Sequence, residues 1–112
     1  MLKTLYQLTT GLLIALGVVH VWFTRYAYDG FSLDALWFIG SGMAIIFAGL
    51  LNIVILRGAG TDRVVWWLVL STNLILVLGF AVSLLVLREP QVFIGIFLAG
   101  FEAVALLRLS RS

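Results

Sequence analysis

PQVFIGIFLAGFEAVALL, residues 90–107, reads as an apolar helix with one charge inside it. A helix needs about 20 residues, at ~1.5 Å each, to cross ~30 Å of hydrocarbon, and this stretch is close to that length. The charge is Glu102, between Phe101 and Ala103. An ionisable group among acyl chains costs several kcal/mol unless it is paired, hydrated or neutral. That carboxyl is the first place to look for chemistry.

Outward from this stretch, three more apolar segments cover residues 4–24, 35–56 and 64–87. The seven basic and five acidic residues all lie outside the four segments, except Glu102. With 63% apolar and 11% charged residues, the chain has too little polar surface for a water-facing globule of 112 residues. Strands are excluded by length and by the lack of alternation, since open sheet edges do not survive in lipid. The fold expected is all-α: one domain, residues 1–112, forming an integral membrane bundle of four antiparallel transmembrane helices.

The connections carry the matching signals. Asp29-Gly30-Phe31-Ser32 reads as a turn followed by a Ser or Asp helix start. Gly58-Ala59-Gly60-Thr61-Asp62 supplies a glycine stop and a Thr or Asp cap. Arg88-Glu89-Pro90 is short enough to make the third and fourth helices antiparallel neighbours. With the N-terminus inside, the inner side holds Lys3, Arg57, Arg63, Arg108 and Arg111, and the outer side holds Arg25 and Arg88. This bias places both termini in the cytoplasm of a multi-pass protein. Trp22, Tyr26, Tyr28 and Trp37 form an outer aromatic belt, and Tyr6, Trp66 and Trp67 an inner one. The first segment ends in Trp22-Phe23-Thr24-Arg25 without a small-residue cleavage pattern, so it is expected to stay in the mature protein.

Counting from the inner ends at ~1.5 Å per residue, Asn52 lies about 7 Å deep, Glu102 about 9 Å, Thr10 about 10 Å and Asn73 about 13 Å. Four helices thus put a polar side chain into one slab. Gly40, Ala44, Ala48 and Asn52 make an i, i+4 row; Gly95, Ala99 and Glu102 share a face; Thr10, Leu13, Gly17 and His20 follow a heptad seam; Thr72, Gly79 and Ser83 align. Small residues mark the faces where transmembrane helices approach. One connected cluster around Glu102 is expected.

Two readings of that cluster stand side by side. In the first, Asn52, Asn73, Thr10 and a neutral Glu102 are interhelical glue at ~0.6 kcal/mol per bond. In the second, Glu102 holds a proton or cation and the asparagines are neutral ligands. A further option has Glu102 snorkel toward Arg108, which a short stem does poorly.

His20 is the only histidine, near the outer end of the first helix, beside Trp22. One imidazole completes no metal or bis-His haem site, so an interfacial hydrogen bond to Ser41 or Ser83 is the plainer reading. A weaker outer-interface ligand site joins His20, Trp22, Trp37 and Ser41. Without cysteine, thiol chemistry and thiolate metal sites are excluded, and no catalytic constellation or phosphate loop is present.

Size, helix count and one embedded glutamate resemble the small multidrug resistance transporters, but in that family the essential glutamate lies in the first helix. Gly17-Val18-Val19-His20, residues 35–42 (ALWFIGSG) and Gly49-Leu50-Leu51-Asn52 resemble small bacterial inner-membrane proteins with four helices, some described as DoxX-like. That likeness covers the first half of the chain and implies a fold and a bacterial membrane. The function expected is a small membrane interaction or accessory protein, not an enzyme. The alternatives are a proton-coupled carrier of small solutes or cations using Glu102, and a cofactor- or quinone-binding membrane subunit. No cofactor is implied by a motif. The partners expected are the lipid bilayer and either further copies of the chain or a larger membrane complex, and no nucleic acid.

Overall fold

The computed structural model describes residues 1–58, 61–85 and 90–109. Four helices account for nearly all of them: α1 (Leu2–Ala27), α2 (Leu33–Leu56), α3 (Arg63–Ser83) and α4 (Pro90–Leu109). Each is long and apolar enough to cross a membrane. The bundle measures 48 × 22 × 21 Å, so its long axis matches a bilayer of ~40–45 Å with headgroups.

The helix ends follow the local chemistry. Ser32 accepts a hydrogen bond from Ala35 N at 3.2 Å and starts α2. The Asp62 carboxylate accepts from Val64 N and Val65 N at 3.0 and 3.3 Å and starts α3. Gly58 follows α2 at φ +108°, a left-handed conformation that glycine adopts without penalty. Helix α3 was expected to reach residue 87 and instead ends at Ser83, with Leu84 and Leu85 turning away. Residues 86 and 87, and the Arg88-Glu89 part of the expected tight connection, lie outside the described residues.

Helix α1 packs most extensively on α2, followed by α3 on α4 and α1 on α4; α2 and α3 touch less than any of these. Glycines explain the close α1–α2 contact. A Cβ on Gly17 would sit 2.6 Å from Ile46 Cγ1 and 2.9 Å from Gly42 O, and one on Gly42 would sit 3.1 Å from Gly17 O. A Cβ on Gly49 would overlap Ile14. These contacts let two backbones approach where lipid supplies no hydrophobic drive.

Burial is inverted relative to a water-soluble protein. Large apolar side chains such as Leu8, Phe47, Leu68 and Phe97 face outward, whereas Thr10, Asn52, Asn73 and Glu102 are buried. That inversion suits a solvent of acyl chains. The apolar core falls into two clusters, one around Tyr6, Val69, Ala105 and Leu106, the other around Leu13, Ile45, Ala48 and Leu98.

Candidate functional site

Every polar residue assigned to the layer is buried, and each is drawn there by the face of its helix. On α1 the buried positions Tyr6, Thr10, Leu13, Gly17 and His20 keep the heptad spacing. On α4, Gly95, Ala99 and Glu102 are buried together, as their shared face requires. On α2 the buried seam is Gly42, Ile45, Gly49, Asn52 and Ile55. The expected row through Gly40 and Ala44 is corrected here, because both of those positions are exposed. Each step of four residues drifts ~40° round a helix of 3.6 residues per turn, while alternating steps of three and four drift only ~20° per heptad.

The hydrogen bonds form two groups. In the first, Asn52 Nδ2 donates to Asn73 Oδ1 at 2.7 Å, and Asn73 Nδ2 returns a bond to Asn52 Oδ1 at 3.0 Å. Asn52 Nδ2 also donates to Ala48 O at 2.8 Å. A carbonyl only accepts, so this bond fixes which way round the Asn52 amide lies. Tyr6 OH completes the group by donating to Asn52 Oδ1 at 2.6 Å. Asn52 thereby uses both of its N–H groups and both oxygen lone pairs.

In the second group, Thr10 Oγ1 donates to Glu102 Oε1 at 2.7 Å. Glu102 Oε2 is buried with no partner among the described residues. The carboxyl has no ion pair to Arg108 among them and is wholly buried, which argues against snorkelling. The expected single cluster is thus two neighbouring hydrogen-bonded sets, one joining α1, α2 and α3, the other joining α1 and α4.

Tyr6 is the residue that sequence reasoning missed. It was placed in the inner aromatic belt, yet it has no exposed surface and serves the asparagine pair as a donor. Its position four residues before Thr10 on the same seam was the available signal. Below it lies a cavity of about 790 Å³ walled by Lys3, Tyr6, Arg63, Trp66 and Leu106. Glu102, Thr10, Asn52 and Asn73 line neither this cavity nor the groove described next.

That groove, of about 730 Å³, lies toward the other end of the bundle between α2 and α3. His20, Trp37 and Ser41 line it, as the expected outer-interface set would require. Trp22 does not; it packs against Tyr26 with ring centres 5.1 Å apart and carries Arg25 over its face at 5.9 Å. His20 Nε2 lies 2.9 Å from Ser41 Oγ, and its ring stacks on Phe38 at 3.8 Å. Ser41 donates its one proton to Phe38 O at 2.8 Å, so its oxygen accepts from His20 Nε2–H. Ser83, the other candidate partner, donates instead to Gly79 O.

Thr72, Gly79 and Ser83, expected on a packing face, line this groove, and so does Ala44. A Cβ on Gly79 would meet nothing within 4 Å. Among the described residues no three His, Asp or Glu side chains gather to hold a metal. No protein-family model matches the chain, and no curated protein or solved structure gives a significant match.

Proposed function

We propose that this chain is an interaction or accessory protein of the bacterial inner membrane, whose buried polar layer sets the register of its helices. The observation that carries this reading is the closure of that layer. Tyr6, Thr10, Asn52, Asn73 and Glu102 come from all four helices, are fully or almost fully buried and hydrogen-bonded, and of the five only Tyr6 borders either of the two cavities described. A carrier site needs a route for its cargo, and a polar layer closed on itself favours a scaffold.

The same reading takes the four spans as antiparallel with both termini cytoplasmic. Its supports are the bonds from Tyr6 and Thr10, early in α1, to Asn52 and Glu102, late in α2 and α4. The bias of basic residues adds to them. Partners are further copies of the chain or subunits of a larger membrane complex. Gly11 and Gly40, with open space where a Cβ would stand, offer outward points of close helix approach. A likeness in shape to DoxX-like proteins belongs to this reading.

One observation favours the carrier alternative: Glu102 Oε2 is buried with no partner among the described residues. Glu102→Gln separates the two, because glutamine still accepts from Thr10 but cannot titrate. The scaffold reading expects assembly and unfolding to stay close to the parent, because the bond from Thr10 is kept. Loss of a pH-dependent ion or solute flux, with the fold intact, would favour the carrier.

A further inference from the structure

We infer that the groove between α2 and α3 binds one neutral single-chain lipid from the surrounding leaflet, its head a glycerol ester or similar hydroxyl-and-carbonyl group. This goes beyond the scaffold reading and concerns the other half of the bundle.

Length comes first. Along α2 the groove runs from Asp34 to Ala48, about 21 Å at 1.5 Å per residue. Half of a bilayer of ~40–45 Å, headgroups included, has that depth. The volume of about 730 Å³ lies within the ~300–1,000 Å³ of small-molecule sites. The walls along the shaft are Ala44, Ala48, Ile75, Leu76 and Gly79, which suit an alkyl chain.

Charge and hydrogen bonding select the head. Asp34 is the one charged residue among the described residues that line the groove, which opposes fatty-acid and phosphate heads. Ser41, Thr72 and Ser83 already donate their protons to carbonyls of their own helices. The Gln91 amide nitrogen, in the same wall, is buried with no partner among the described residues. A buried donor left unpaired is costly, and an ester carbonyl would satisfy it. Hydroxyls on the same head would donate to Asp34. A neutral head carrying both groups meets these requirements together, whereas an ammonium head offers Gln91 no acceptor.

The test uses the full chain in a non-ionic detergent and three eighteen-carbon probes: monoolein, oleate and oleylamine. Native mass spectrometry reads their stoichiometry and competition. The expected result is one monoolein per chain, held at least tenfold more tightly than either charged probe. Gly79→Phe should fill the shaft and abolish binding while leaving the thermal midpoint near the parent's, since a Cβ there meets nothing within 4 Å and the position opens into the groove. Gln91→Leu should weaken monoolein about tenfold and leave oleylamine unchanged. Equal binding of all three probes would overturn the choice of head, and undiminished binding in Gly79→Phe would overturn the site. Cross-linking of two copies through Ala44→Cys, unaffected by monoolein, would assign the groove to a second copy and also overturn the proposal.

Discussion

Thr10 and Glu102, ninety-two positions apart in the chain, are joined by a 2.7 Å hydrogen bond in the buried middle of the bundle. It ties α1 to α4 directly, and the Asn52–Asn73 pair does the same for α2 and α3. Residues near the two ends of the chain therefore hold one another at a fixed height.

The asparagine pair should behave as a unit. Asn52→Ala leaves Tyr6 OH and Asn73 buried without their partner, which costs about 1–3 kcal/mol. Replacing both asparagines by alanine should cost less than the sum of Asn52→Ala and Asn73→Ala, because only the Tyr6 hydroxyl is then left without its partner. Unfolding in mixed micelles, followed by circular dichroism, measures all three variants.

Tyr6→Phe should lower stability by about 0.6 kcal/mol, and by no more than ~1.7, through loss of the bond to Asn52. Were Tyr6 an interfacial anchor only, the ring would suffice and the substitution would be silent. The same unfolding measurement decides.

The reason Tyr6 was not legible is physical: a tyrosine near a helix end satisfies the belt pattern and the buried-donor pattern equally. Its spacing from Thr10 was the discriminating feature. The four spans were legible because runs of apolar residues leave few alternatives in lipid; Glu102 and Thr10 were legible as buried from their helix faces, whereas Asn52 and Asn73 were reached by depth counting alone, the rows drawn for their helices having been misplaced. Splitting of the layer into two bonded sets depends on side-chain reach, which spacing does not encode. The groove was hidden for a different reason. Ala44, Gly79 and Ser83 look the same to a pattern search whether a helix packs on them or a gap lies between.

Glycine substitutions should separate the packed seam from the open surfaces. Gly49→Leu forces α1 and α2 apart at Ile14 and should cost about 1–3 kcal/mol or block folding. Gly40→Leu, where a Cβ meets nothing within 4 Å, should leave the fold of the single chain intact. Yield of monodisperse protein and thermal midpoint distinguish them.

Topology is open to a chemical test. Single cysteines at Lys3 and Asp62 should be shielded from an impermeant maleimide in intact cells, and one at Asp29 should react. Labelling of all three from the same side would break the antiparallel arrangement.

The most direct test of the polar layer as a structural tie is a double-mutant cycle on Thr10→Val and Glu102→Leu, read as unfolding free energy. The account predicts a favourable coupling of about 0.6–1.7 kcal/mol, the range for buried hydrogen bonds between membrane helices. Strict additivity of the two substitutions would contradict it.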